Sequence, residues 1–278
     1  MNGSLFFMHY TKDDIINALM HVGIKNGDTV FFTTSLGMIG LPNINGPLNE
    51  NKISKFIFNA IREFLGKNGT ILVPTYSYSF SKSDKKKLSV FNIYKTPSKI
   101  GPFSNFFIKQ NGVIRSIDPM ISIAGLGPNA KKILNDIPNT SYGKDCVFER
   151  LLKIKNAKCC NLGLGPNWIP FIHYCDWLNK SPFRYDKYFH GTIVNGKTRK
   201  NIVWHYPVRY LRKETITNGY KIGKLAIKNK IFKHYNLGKS QVYAIDYKKY
   251  FNFTMKIIKQ NPWATVYGPK FKINKNLL

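Results

Sequence analysis

Three stretches of this chain are apolar runs of strand length that break into small or polar turns: DTVFFTTS (28–35), TILVPTYSYSF (70–80) and AKCCNLGLG (157–165). Runs that are apolar at successive positions belong to strands covered on both faces. Between the first two, apolar residues at 53, 56, 57, 60, 61 and 65 share one helical face, and Gly66 ends the pattern. Strand, helix, strand in that order points to an α/β sheet with helices packed on it. In such sheets ligands gather beyond the carboxyl ends of the strands. A site is therefore expected near Thr33-Thr34-Ser35, Pro74-Thr75-Tyr76-Ser77 and Gly163-Leu164-Gly165. None of these turns is a P-loop or a strict GxGxxG, so no nucleotide fingerprint is present.

The remaining signals fill in one domain. Thr11 caps an amphipathic helix that stops at Gly23. The polar segment 81–100 reads as a surface loop, and short helices are expected near 103–110, 128–136 and 145–153. Beyond Pro182 the pattern turns β-rich, with a hairpin around Asn195-Gly196 as a type I′ turn. A strand at 241–247 and a helix at about 246–260 close the chain. No repeat or linker is visible, so 278 residues are read as a single domain. Residues 1–181 form its α/β core, and 182–278 a β-hairpin excursion with a closing strand and helix.

Composition excludes several classes. No run of about 18 apolar residues exists, so no membrane span is expected. The N-terminal MNGSLFFMHYTKDD lacks a basic signal-peptide start, which points to the cytoplasm and leaves room only for peripheral membrane contact. The four cysteines form no CxxC, so neither zinc nor a disulfide framework is expected. Lysine and arginine number 43 against 14 acidic residues, a formal charge of +29. Such a surface attracts anions. The lysines are nevertheless spread along the whole chain, with SDKKK (83–87) the one dense run, read as a solvated loop. No RNP or KH signature supports a nucleic-acid binder.

One pair of titratable residues stands out in IPFIHYCDW (169–177): His173 and Asp176. If the run is helical they share a face. A carboxylate near an imidazole raises its basicity and orients it, as in a general base. A histidine packed among aromatics is the alternative, and spacing leaves both open. Cys175 points away from His173 on such a helix, which argues against a thiol nucleophile.

Taken in order, four segments resemble one family, the aminoglycoside 3-N-acetyltransferases, over about Gly27 to Pro269. They are GDTVFFTTSLGMIG, GTILVPTYSYSF, TPSKIGPFSNFFIKQNGVIRSIDPMISIAGLGPNA and SYGKDCVFERLLKIKNAKCCNLGLGPNWIPFIHYCDW. The resemblance implies an α/β; three-layer α/β/α sandwich around a central mixed sheet, distinct from the other large acetyltransferase superfamily. It also implies transfer of acetyl from acetyl-CoA to a primary amine of an amino sugar, without metal. The family's HYxE histidine matches His173 and its acidic partner falls on Asp176, as base and orienting group. Ser35, Thr75, Lys99 and Arg115 match the coenzyme side. Ser122 matches the acyl site, and the turn before His173 offers Asn167 and Trp168 as oxyanion donors. Arg184, Tyr185 and Tyr188 follow the catalytic segment as acceptor-pocket candidates. Where antibiotic-modifying members carry His-Pro-Thr-His-Ser, this chain has Asp118-Pro119-Met120-Ile121-Ser122. That departure, with the positive charge, leads to an anionic acceptor, a nucleotide-linked amino sugar of surface-polysaccharide synthesis. Aminoglycoside resistance is the alternative, and monomer and homodimer stay open.

Overall fold

A computed structural model describes residues 9–83 and 87–271. Residues 1–8, the middle of the SDKKK run and residues 272–278 thus lie outside the described residues. In chain order the elements are α1 (Lys12–His21), β1 (Thr29–Thr34), α2 (Leu36–Ile39), α3 (Glu50–Leu65), β2 (Thr70–Pro74), β3 (Ser89–Asn92), α4 (Pro102–Ile108), β4 (Ile114–Arg115), β5 (Ile123–Leu126), α5 (Ala130–Leu134), α6 (Val147–Leu152) and β6 (Ala157–Leu162). There follow α7 (Ile172–Leu178), β7 (Arg184–Asn195), β8 (Thr198–Arg209), α8 (Gly219–Lys228), β9 (Lys233–Leu237), β10 (Ser240–Asp246) and α9 (Tyr247–Gln260).

The strands form a seven-stranded mixed sheet, ordered β4-β5-β2-β1-β6-β10-β9. Its middle is parallel, β2-β1-β6, and both flanks are antiparallel. The central strand β1 shows why its sequence is apolar at successive positions. Val30 and Phe32 enter one core with α1 and α3, while Phe31 enters the other with α6, α7 and α9. Each of these side chains stabilises the fold by roughly 1.5–3 kcal/mol. The expected three layers around a mixed sheet are therefore what the chain builds.

The excursion is a second sheet, β3-β7-β8. Segment 81–100, expected as a loop, instead holds β3, paired parallel to β7. Four residues with one buried apolar side chain carry too little pattern to be read as a strand. The hairpin turn lies one residue later than expected. Asn195 pairs with Thr198, and Gly196 alone has positive φ, +59°. One such residue at the first loop position suits a type II′ turn, where type I′ needs two. The hairpin docks through Gly191, where an added Cβ would come within 2.3 Å of the Phe80 ring. Sequence reading placed nothing over 210–240, where α8 and β9 lie. Among the described residues no helix is long and apolar enough to cross a membrane.

Candidate active site

Beyond the carboxyl ends of β1, β2 and β6 lies a cavity of about 320 Å³. Its wall joins Thr33 and Thr34 from β1, Tyr76 and Tyr78 from beyond β2, and the turn 164–170. His173, Tyr142 and Tyr206 complete one side, and Thr217 and Gly219 the mouth. The β6 end is braced from within. Thr33 Oγ1 donates to Asn161 Oδ1 at 2.6 Å, and Asn161 Nδ2 donates to Gly165 O at 2.7 Å. These bonds fix the turn that delivers the chain to α7.

His173 sits in the first turn of α7 with its side chain 29% exposed, while Asp176 one turn on is fully buried. The contact between them is 3.8 Å from Nδ1 to Oδ2, too long for a hydrogen bond. Arg184, at the start of β7, stands between them. Its Nη2 donates to His173 Nδ1 at 2.6 Å, and its Nε and Nη2 reach Asp176 Oδ2 at 3.3 and 3.2 Å. Thr265 Oγ1 donates to the other oxygen, Oδ1, at 2.7 Å. The direct pair expected from i, i+3 spacing is therefore a bridge, with a guanidinium as its middle member. Burial lowers the His173 pKa below the ordinary 6.5; the Asp176 carboxylate works against this, and Arg184 and Arg209 add to it. The imidazole is thus neutral at pH 7.

The other expected residues divide. Asn167 and Trp168 lie on the cavity wall. The Trp168 N–H is engaged with Gly165 O at 3.3 Å, which weakens it as an oxyanion donor. Ser35 lines an adjoining groove that shares Thr34 and Ile100 with the cavity. Lys99 is exposed beside Ile100. Arg115, Thr75 and Ser122 are corrected, since they touch neither space. Thr75 and Ser122 are fully buried and Arg115 is 8% exposed. Arg115 Nε donates to the Thr75 and Ser122 hydroxyls at 3.1 and 3.0 Å. Its remaining nitrogens serve the carbonyls of Thr75, Ile93 and Thr96. Burial brings its pKa down to about 10, and a guanidinium so enclosed presents no fork to a phosphate. The three form a brace between β2, β4 and β5.

Arg184 is likewise corrected as an acceptor contact. Its side chain is 8% exposed and bonded to Asp176 and His173. Tyr185 lines a second cavity, of about 870 Å³, with Asp176, Arg184 and Tyr210. Tyr188, 63% exposed, meets His205 on the hairpin at a tilt of 36°, 5.2 Å between centroids, and does not line the cavity. His205 also bonds Thr140 and Asp186. All four cysteines are buried and free, and burial holds the Cys175 thiol far from ionisation. No metal-binding cluster of three or more His, Cys, Asp or Glu occurs among the described residues.

Sequence reading missed the tyrosine wall. Tyr142 meets His173 edge-on at 6.5 Å and Tyr206 at 5.6 Å. The signal was present only for Tyr76 and Tyr78, which follow a strand end. Beneath them lies Asp118, which caps its own turn through bonds from the Met120 and Ile121 N–H groups. Burial raises its pKa to about 6, against lowering by those bonds and by Ser141. A raised carboxyl favours the fold while protonated, so stability declines as pH climbs from about 4 to about 6 and the full cost stands above that. We expect Asp118→Asn to keep the turn and remove that decline, with a gain of roughly 2–3 kcal/mol at pH 8. Thermal unfolding at pH 4.5 and 8 checks it; an unchanged pH slope would reject a buried ionised Asp118.

Comparison with known proteins places these features in context. A family profile described as aminoglycoside 3-N-acetyltransferase matches residues 32–259. Aminoglycoside N(3)-acetyltransferase IV from Salmonella sp is 25% identical over 186 residues, covering 66% of this chain. The chain spans 65% of that relative's length, just under two thirds. Among solved structures, aminoglycoside acetyltransferase AAC(3)-Xa superposes with a TM-score of 0.76 at 18% identity, over 90% of this chain and 93% of that one. AAC-IIIb, solved as a binary complex with CoASH, gives 0.76 at 16% identity, over 90% and 96%. At these identities the likeness is one of fold.

Proposed function

Since the chain belongs to the aminoglycoside 3-N-acetyltransferase family, we propose that it transfers acetyl from acetyl-CoA to a primary amine of an aminoglycoside. The observation that carries this reading is His173, neutral and partly exposed on a cavity at the sheet's carboxyl edge. The nucleotide-linked amino sugar expected from sequence is withdrawn. The matched family and relatives are aminoglycoside acetyltransferases. The charge argument for it also fails locally: among the described residues no Lys, Arg, Asp or Glu lines the cavity, so they supply no anion site there.

The residues present suit acetyl-CoA. The groove joined to the cavity is floored by Gly37 and Gly101, where an added Cβ would meet nothing within 4 Å. An extended amide chain can lie there, with Ser35 beside it and Lys99 near its edge. The thioester supplies an activated acyl group. The chain's part is to orient the amine and take its proton, which a neutral imidazole can do. The tetrahedral oxygen needs donors, and of the two expected on the wall Asn167 is the candidate, since the Trp168 N–H is engaged with Gly165 O. Tyr142 and Tyr206, kept protonated by burial, narrow the space around His173.

The test is thiol release from acetyl-CoA against a panel of aminoglycosides graded by amine number, with simple amino sugars alongside. Release with aminoglycosides supports the reading. Release with simple amino sugars alone overturns the acceptor class. A wall without carboxylates leads us to expect the acceptors with fewest amines to turn over best.

A further inference from the structure

A guanidinium has only donors and does not lose its proton in a protein. At 2.6 Å from Arg184 Nη2, His173 Nδ1 must therefore be the acceptor. An Nδ1–H there would set two donors against each other. A neutral imidazole with a lone pair on Nδ1 carries its proton on Nε2. That nitrogen is then a donor, not a base. To accept a proton at Nε2, the ring must instead hold its proton on Nδ1, aimed at Asp176 Oδ2, now 3.8 Å away.

We infer that Arg184 is a positioning residue that sets the tautomer of His173, and that the base forms only when the guanidinium leaves Nδ1. The geometry permits that exchange. Arg184 keeps two further anchors, Asp176 Oδ2 through Nε at 3.3 Å and Pro207 O through Nη1 at 3.2 Å. Asp176 is held independently by Thr265. The tautomer change moves one proton from Nε2 to Nδ1 by way of water, with no change in net charge. The arrangement also divides two spaces: His173 lines the first cavity, while Arg184 and Asp176 line the second. The charged groups facing the ring are Asp176 on its own helix, Arg184 on β7 and Arg209 on β8, with the Tyr142 ring packed edge-on.

The kinetic half of this inference rests on the proposed acetyl transfer, but the tautomer half does not. Nitrogen-15 NMR of histidine-labelled enzyme at pH 7.5 reads the tautomer directly, with the His173 signal assigned by its loss in His173→Gln. The expected result is an Nε2–H imidazole in the wild type. In Arg184→Lys, an ammonium can hold Asp176 but cannot fork to the ring. The tautomer should then change to Nδ1–H, and the acid limb of kcat/KM should move up by about one pH unit as the ring becomes easier to protonate. An Nδ1–H ring in the wild type overturns the inference, whether or not the variant folds. So does an Arg184→Lys enzyme with both tautomer and pH profile unchanged. If the tautomer changes while no acceptor is acetylated, the positioning role stands and the acetyl-transfer reading fails.

Discussion

His173→Ala should lower kcat/KM for acetyl transfer by roughly 10²–10⁴-fold, the usual worth of a positioned base. An acceptor amine is mostly protonated near pH 7, and what deprotonated amine exists must still shed a proton as the carbon–nitrogen bond forms. Among the described residues no other imidazole and no carboxylate lines this cavity. The surrounding hydroxyls, Tyr142 and Tyr206 among them, are held protonated by burial. Stability should change only modestly, because the ring is 29% exposed and Arg184, losing the imidazole as acceptor, keeps its bonds to Asp176 and Pro207. Binding of CoA should persist, which separates loss of chemistry from loss of the donor site. The wild-type rate should hold below pH 6.5, since burial and the neighbouring arginines keep His173 from protonating until lower pH. An alanine variant within tenfold of wild type would remove His173 from the chemistry.

The second large effect falls on stability. Asp176→Ala leaves the Arg184 guanidinium, 8% exposed, with two neutral acceptors, the Pro207 carbonyl and the His173 imidazole, and no counter-charge among the described residues. Removing one member of a buried pair typically costs about 3–5 kcal/mol, because the other charge stays in low dielectric. The Thr265 hydroxyl also loses its acceptor, which loosens the C-terminal segment from α7. For a chain of this size we expect Tm to fall by roughly 10 °C. Asp176→Asn keeps an oxygen for Thr265 and should fall between. Thermal and urea unfolding of the three proteins measure this. A loss below about 1 kcal/mol for the alanine variant would mean that water reaches Arg184 and screens it.

The two experiments bear on how much of the site was legible. His173 and Asp176 lie within one helical turn, and helical periodicity brings them to one face in any fold. Their spacing pointed to a segment that does line the cavity. It did not give the bond between them, because i, i+3 neighbours are near but a 3.8 Å gap admits a third group. That group, Arg184, reads in the sequence as a basic residue of the acceptor pocket. Only the hairpin β7–β8, folding back over α7, turns it inward. Thr75, Arg115 and Ser122 tell the same story in reverse. Thr75 sits at an expected strand end, and Arg115 and Ser122 at ends of strands that only the structure reveals, yet all three side chains point into the brace rather than the cavity.

The chain's local chemistry determined the layers. Apolar runs, capping residues and glycine stops act over a few residues, so they set strands, helices and the place where their ends converge. Tertiary structure alone decided what meets His173. Tyr142 comes from a segment between α5 and α6, Tyr206 from β8, Arg184 from β7 and Thr265 from beyond α9. These residues are separated along the chain by loops and by a hairpin whose docking depends on the fit of Gly191 over Phe80. Proximity of that kind is a property of packed surfaces, and no periodicity in the sequence encodes it.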